Sequence, residues 1–582
     1  MHLKSLHIQG FRRLHDLSLR FRSGLNIIVG PNNVGKTAVV DALRVLLSAS
    51  DEGNLRLTEL DLHQTATGER SLAATFTFVF SGLSEEHEAD FMTALIPVKN
   101  EGAIVGYDAQ FNVQYTQAEA GGRLRLRRWV GLHEENVMTT EMLENLRAIY
   151  LQPLRDPALG LKPGRMSQIS RLIQNMTDKA QREELVKTLK TIDTDLKGKH
   201  PISSTNTAIS NRHESMLGKQ LAQLLHLDLT SGDFNRFAAR VGLAVGGMEV
   251  EQNGLGFNNL IYMAVVLSEL ALNKSVSYCG LLIEEPEAHL HPQLQAVLLA
   301  YLKSVEKPLE GERAVQVFVT SHSPNFAALA DIDSICCVYE GPAGPVAFAP
   351  RDVTFEPGKK EKLQRYLNVT RAELFFARRL VLVEGTAELF LLDALATKAG
   401  YDLHKHSVSI VSTDGLNFDA FLPLFGNNAM QIPVAVVTDA DPPKTAFPDQ
   451  ASALTLSDNA KKLKGLDDEF VKCYFAKKTL EYDLAFDAVR RELMVAALKE
   501  MHPKIGADVE TQVGNAVTDE EKAKVLYCGM FQRPGDLESV QKGRYSQVLA
   551  YGIATSNTPV VLPPYLEAAL KFVAPKMGAA GG

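Results

Sequence analysis

The chain has 582 residues, more than one hydrophobic core usually supports, and with 45% hydrophobic and 22% charged residues it reads as two or three folded domains. Its net charge of −8 argues against indiscriminate coating of nucleic acid, although an acidic whole can carry a local basic groove. No apolar run approaches the roughly 20 residues that cross a bilayer, residues 1–10 lack a basic-then-apolar leader, and the scattered cysteines form no CxxC pair, so a cytoplasmic protein with no membrane role and no zinc knuckle is expected.

Residues 2–9 and 16–22 alternate apolar and polar side chains and predict a hairpin. It feeds residues 25–37, LNIIVGPNNVGKT, an apolar run followed by Gly30, four loop residues, Gly35, Lys36 and Thr37, with an amphipathic helix over 38–47. This is the spacing of a P-loop. Gly30 and Gly35 let the backbone turn its N–H groups toward phosphate oxygens, with Asn32 and Asn33 in the same cradle; Lys36 is placed for the β and γ phosphates of ATP and Thr37 for Mg²⁺. Further strands are predicted over 72–80, 111–115 and 124–130. Arg123, Arg125 and Arg127 share one face there and offer either a phosphate track or a solvated surface. Gln152, ending the strand-like AIYLQ, is the candidate for a loop that reports ATP to Mg²⁺. Residues 153–240 then change to charged helical periodicity, expected as an inserted dimerisation module.

Residues 251–259, EQNGLGFNN, precede a predicted helix over 260–272 and put Asn253, Gly254 and Gly256 in a second phosphate-binding loop. In dimeric ABC and SMC ATPases such a loop closes the partner's ATP site. Residues 277–287, SYCGLLIEEPE, form a buried strand ending in carboxylates, as a Walker B segment does; Glu284 would serve the Mg²⁺ side and Glu285 would polarise the attacking water. The alternative has both acids capping a helix. Residues 315–324, VQVFVTSHSP, deliver His322 to a strand end, where it would sense the γ-phosphate. In this order the segments predict an α/β, ABC-type ATPase head.

From residue 378 the chain restarts as strand, helix, strand, helix, strand, which predicts a small parallel sheet. Glu384, Asp414 and Asp439 with Asp441 fall at its three strand ends, and such ends converge on one edge. Glu388 joins them by sharing a helix face with Glu384. A cluster of acids needs a cation, and oxygen ligands select Mg²⁺ or Mn²⁺; two such ions about 4 Å apart serve phosphodiester hydrolysis, with DNA as the substrate.

The E-G and D-x-D strand ends resemble a Toprim domain, and an ABC-type ATPase followed by Toprim resembles the OLD (overcoming lysogenization defect) family of ATP-dependent nucleases, which includes the nuclease subunit of Gabija-type anti-phage systems. The resemblance covers nearly the whole chain. It implies metal-ligand roles for Glu384 and Glu388 in VEGTAE, for Asp439 and Asp441 in TDAD, and for Asp414 in STDG. It further implies a ligand role for Glu481 in TLEYDL, otherwise a helix N-terminal acid, and a transition-state role for Lys542 in VQKGRYSQ, otherwise a solvated helix charge. The division it suggests is 1–152 and 241–350 for the ATPase head, 153–240 for the helical insertion, 351–377 for a linker, and 378–582 for Toprim with a helical extension. The implied protein is a homodimeric or larger DNA endonuclease or nickase, alone or with a helicase or reverse-transcriptase partner encoded nearby. Two other functions remain: a non-cleaving clamp like the SMC and RecF heads, acting in repair, and a topoisomerase using Tyr545 or Tyr551.

Overall fold

The structure, a computed structural model, describes residues 1–48, 55–65, 67–117, 123–153, 157–164, 167–227, 233–288, 290–533 and 540–576. Its central sheet runs in the order Gly344–Phe348, Ile335–Gly341, Leu25–Val29, Gln316–Thr320, Tyr278–Glu284, Leu146–Leu151, parallel except for the outer strand Gly344–Phe348. Every residue of Leu25–Val29, Gln316–Thr320 and Tyr278–Glu284 is buried, which is why these strands read as apolar runs and not as alternations. The strand that leads to His322 lies between the P-loop strand and the Walker B strand. All three segments therefore end side by side on one edge.

A second, antiparallel sheet contains the hairpin His2–Phe11 and Leu14–Arg20 together with Ala73–Ser81, Ala103–Gln117, Leu95–Asn100 and Leu124–Val130. Strict alternation of buried and half-buried residues along Ala73–Ser81 gives it one covered face. Phe76, Phe78, Phe80 and Phe111 on that face share a core with helix Lys36–Leu47 and with one side of the central sheet.

The other side of the central sheet shares its core with a third sheet. This one is wholly parallel, in the order Val408–Ser412, Arg379–Val383, Val434–Asp439, Val471–Ala476. Ile27, Val317 and Leu281 of the first sheet and Leu380, Leu382 and Val434 of the third belong to one continuous cluster, so the two parallel sheets are packed into a single body. The far face of the third sheet is covered by helices Thr386–Lys398, Ala488–Met501, Lys542–Thr555 and Pro564–Val573.

Four features differ from expectation. The helix predicted over 260–272 starts five residues earlier, as Leu255–Leu272 capped by Gly254, because Asn258 and Asn259 are buried on its first turns. By length and composition this helix is apolar enough to cross a bilayer, contrary to the expected absence of such a run; Met263, Val266, Leu267 and Leu270 instead pack into the central core. Val471–Ala476 adds a fourth strand to the third sheet. Lys461, Lys462 and Lys464, whose polar surroundings read as a loop in the sequence, lie on a helix, Asp458–Lys464; Lys461 pairs with Asp458 and Lys464 with Asp467. Between 153 and 240, helices Lys179–Lys197 and His200–Leu217 bury no residue and leave Leu185, Ile192, Leu196 and Ile209 exposed.

Gly30 has φ +146°, and a Cβ there would lie 1.9 Å from the Val338 carbonyl oxygen of the neighbouring strand. Both constraints act on the P-loop at its root. Gly30→Ala is expected to cost about 2 kcal/mol and lower the midpoint of thermal unfolding by roughly 5 °C, with loss of nucleotide binding, measured by calorimetry and by a fluorescent ATP analogue.

Candidate functional site

On the central sheet edge, Lys36 is 4% exposed and donates to the carbonyls of Gly30 at 2.6 Å and Pro31 at 2.7 Å, so its ammonium is folded into the cradle of its own loop. Burial pulls its pKa down to about 8, against the pull of Glu285 and Glu287. A buried ammonium in a glycine-turned loop at a helix start is a fitting place for a polyphosphate. Thr37 Oγ donates to Glu284 at 3.2 Å, and the Tyr150 hydroxyl donates to the same carboxylate at 2.7 Å. Burial raises the Glu284 pKa, helped by Asp41 and Glu285. Glu285, held at φ +44°, faces His322 at 3.4 Å; Glu287 accepts from the Ser321 hydroxyl at 2.7 Å and the His322 N–H at 3.0 Å.

The expected ATP-site residues thus fall into three groups. Gly30, Asn32, Asn33, Gly35, Lys36, Thr37, Glu284, Glu285 and His322 lie on one sheet edge. Gln152 follows the adjoining strand Leu146–Leu151 and is exposed. Asn253 and Gly254 precede helix Leu255–Leu272, whereas Gly256 is inside its first turn and so is not part of a loop. Asn253 donates to the Asn258 side chain at 3.0 Å, which fixes the shape of that helix start.

On the edge of the third sheet, Glu384, Glu388, Asp439 and Glu481 come together around Lys542. Burial lifts the Asp439 carboxyl well above the usual range, followed by Glu384, Glu481 and Glu388. Burial likewise raises Glu388, with further pushes from Glu481 and Glu384. Lys542 donates to Glu481 at 3.0 Å; burial works against its charge, but Glu481 and Asp439 outweigh it and hold its pKa up. Asp441 is exposed at the rim, with φ +49°.

Among the described residues, no three Asp, Glu, His or Cys side chains stand in a ligating group. Like charges repel at contact distance, and several of the acids meet hydrogen-bond donors instead. Glu384 accepts from the Thr438 hydroxyl and from the Asp439 N–H at 3.0 Å, and Glu388 accepts from the Gly385 N–H at 3.1 Å. Glu481 is 1% exposed, yet its Oε1 has no hydrogen-bond partner. A buried, unpartnered carboxylate oxygen in an all-oxygen cluster is the donor that a hard divalent cation takes.

Asp414 stands apart from this group. Its strand, Val408–Ser412, lies on the far side of Arg379–Val383 from Asp439, and Asp414 faces Arg371 at 3.6 Å with its side chain 71% exposed. Convergence at strand ends therefore does not gather every acid: Asp414 follows a strand adjacent to that of Glu384 and still leaves the group. Of the arginine stripe, Arg127 is paired with Glu134 and lies over Trp129, while Arg123 and Arg125 are exposed. Tyr545 is buried, its hydroxyl donating to the Met494 carbonyl at 2.9 Å, so it presents no nucleophile; Tyr551 is 70% exposed. Tyr150 and Arg371 had no signal in the sequence, because their partners lie 134 and 43 residues away.

Residues 1–93 and 135–327 match the family model for an AAA ATPase domain, and residues 375–441 match that for the overcoming lysogenization defect protein-like Toprim domain. The OLD nuclease of Thermus scotoductus is 23% identical over 455 residues, covering 75% of this chain and 82% of that protein. Endonuclease GajA of Bacillus cereus is 22% identical over 441 residues, covering 63% of this chain and 61% of its own length. A solved C-terminal region of the Burkholderia pseudomallei OLD protein is 23% identical over 34% of this chain and 97% of that one, with a TM-score of 0.24.

Because the Asp439 pKa is raised in the fold, ionisation at neutral pH destabilises the metal-free protein, and that cost vanishes as pH falls and the carboxyl is protonated. Asp439→Asn should therefore melt above wild type at about pH 8 in chelator, with the gap closing toward about pH 5. Added Mn²⁺ should raise the wild-type midpoint and raise that of the variant much less. Differential scanning fluorimetry reads all three.

Proposed function

From an AAA ATPase domain joined to an OLD-like Toprim domain in one chain, the pairing of the OLD nuclease family, we propose an ATP-binding and ATP-hydrolysing, divalent-metal-dependent DNA endonuclease or nickase. The observation that carries this reading is the buried acid cluster around Lys542, with Glu481 Oε1 left unpartnered. A non-cleaving clamp has no use for such a cluster. Glu384, Glu388, Asp439, Asp441 and Glu481 are the residues to hold Mg²⁺ or Mn²⁺, in one or two sites. Bound there, such ions supply Lewis acidity at a phosphodiester and a water acidic enough to act as nucleophile. Lys542 is the only one of the gathered charges with positive sign, and its role is to counter the negative charge that develops on the phosphate. Glu384 is fixed by the Thr438 hydroxyl and the Asp439 N–H, so its free oxygen has a defined direction.

In the head, Lys36 and Thr37 serve the phosphates and Mg²⁺, Glu284 the same metal, Glu285 the attacking water, and His322, beside Glu285, the γ-phosphate. We read Asn253 and Gly254 as the device that closes a second subunit's ATP site, and the homodimer as assembled in part through helices Lys179–Lys197 and His200–Leu217. Supporting this is an exposed apolar row, Leu185, Ile192 and Leu196, at spacings of seven and four. The setting we favour is cytoplasmic anti-phage defence, by likeness to the Gabija nuclease subunit, with a helicase or reverse-transcriptase partner as an option.

Supercoiled plasmid with Mg²⁺ or Mn²⁺ is the test. Wild type should convert it to nicked or linear forms. Glu384→Ala should lower the rate by at least about 10³-fold while ATP binding is unchanged; no cleavage across metals, nucleotides and DNA substrates would overturn the reading. Lys36→Ala removes nucleotide binding and Glu285→Gln only turnover, so comparing their cleavage rates shows which of the two gates the nuclease.

A further inference from the structure

Next to the acids lies a cavity whose aromatic wall neither chemistry uses. Its volume is about 590 Å³, and its lining includes Asp441, Lys444, Tyr527, Phe531, Gln541 and Lys542. Two of these six, Asp441 and Lys542, belong to the acid site itself, so the cavity opens onto the place where a scissile phosphate would dock. Its aromatic wall is built and held. The Lys542 ammonium sits 5.4 Å from the centre of the Phe531 ring while bonding Glu481, which fixes that ring relative to the acids. Phe531 packs against Tyr527 at 5.5 Å, and Tyr527 against Tyr482 at 5.8 Å.

Behind them the buried Lys478 closes the back of the pocket. Its ammonium donates to the carbonyls of Lys444 at 3.1 Å and Ala446 at 2.8 Å and lies 4.5 Å from the Phe447 ring and 5.8 Å from that of Tyr527. A lysine so fully engaged is structural, and it stiffens the loop that follows Asp441. The pocket therefore has a half-buried aromatic face, amide and ammonium groups at its mouth, and a volume within the range of ordinary ligand sites.

Resting on the nuclease reading above, we infer that this cavity receives the unstacked base of the nucleotide adjoining the scissile phosphate, against the Phe531 ring. A base inside a duplex is stacked on both sides and cannot enter a side pocket without leaving the helix, which costs a few kcal/mol unless it is already unpaired. The substrate class follows: single strands, or duplexes with a mismatched, bulged or otherwise unpaired nucleotide, are preferred to intact duplex. Gln541 and Lys444 meet polar base edges or the flanking phosphate, while the ring face accepts any base.

The test is photocrosslinking followed by binding. A single-stranded oligonucleotide with 5-iodouracil at its thymine positions is irradiated with the Glu384→Ala chain in Mg²⁺, and the adducts are mapped by mass spectrometry. Phe531 or Tyr527 should carry the adduct. Phe531→Leu, which keeps apolar bulk but removes the ring face, should lose the Phe531 adduct and weaken single-strand binding about tenfold, with circular dichroism and thermal midpoint near wild type. Cleavage of a duplex with one unpaired nucleotide should map next to that nucleotide and exceed cleavage of the paired control about tenfold. Adducts confined to other surfaces, with unchanged affinity in Phe531→Leu and equal cutting of both duplexes, would sink the pocket and leave the nuclease standing. No cutting of any DNA would instead sink the nuclease.

Discussion

Negative charge held where water is scarce governs both halves of this chain. In the head, Glu284, Glu285 and Glu287 crowd the end of the Walker B strand, and the latter two face one buried lysine, Lys36. In the third sheet, Glu384, Glu388, Asp439 and Glu481 crowd another edge and face Lys542. Burying such acids is unfavourable unless each finds a cation or a hydrogen-bond donor. Most of the polar contacts at the two sites are explained by that need: Tyr150 and Thr37 on Glu284, Ser321 on Glu287, Thr438 on Glu384. Among these acids that need is left unmet at Glu287 Oε2 in the head and at Glu481 Oε1 in the third sheet.

Parallel sheets make this crowding possible. A parallel strand ends where its neighbours end, so carboxylates far apart in sequence arrive together without any loop having to reach. The same geometry sets a limit, because adjacency brings strand ends close without fixing where the residues beyond the end turn. Asp439 is one strand from Glu384 on the inner side and joins it; Asp414 is one strand away on the outer edge, where its turn at φ +59° sends it to Arg371.

What the sequence disclosed was local. The P-loop, the Walker B strand and the acids at strand ends are short patterns whose spacing carries their chemistry, and each lies at the sheet edge its strand leads to, with Asp414 apart from the other acids. What it withheld was either pairing over distance or competition between patterns. Tyr150 looks like any strand tyrosine until Glu284 is placed beside it. The run from 255 to 259 contains one glycine and two asparagines and reads as a loop, yet burial of Asn258 and Asn259 makes it helix. Val471–Ala476, a short strand with two buried ends and a lysine inside, gave too weak an alternation to be noticed, although it is the strand that leads to Glu481.

The two sites are joined by short and rigid material. Arg378 donates to the carbonyl of Asn32 in the P-loop at 3.4 Å, and the strand that begins at the next residue, Arg379–Val383, ends at Glu384. That strand is hydrogen-bonded on both sides, to Val408–Ser412 and to Val434–Asp439, and four of its five residues are buried. Its neighbours leave it no room to slide alone, since close-packed cores transmit displacement and do not absorb it. Any movement of the P-loop that reaches Glu384 by this route must therefore carry Asp439 with it. Val471–Ala476, bonded along Val434–Asp439 and leading to Glu481, would follow, so the charge such a movement could leave behind is Lys542 on helix Lys542–Thr555.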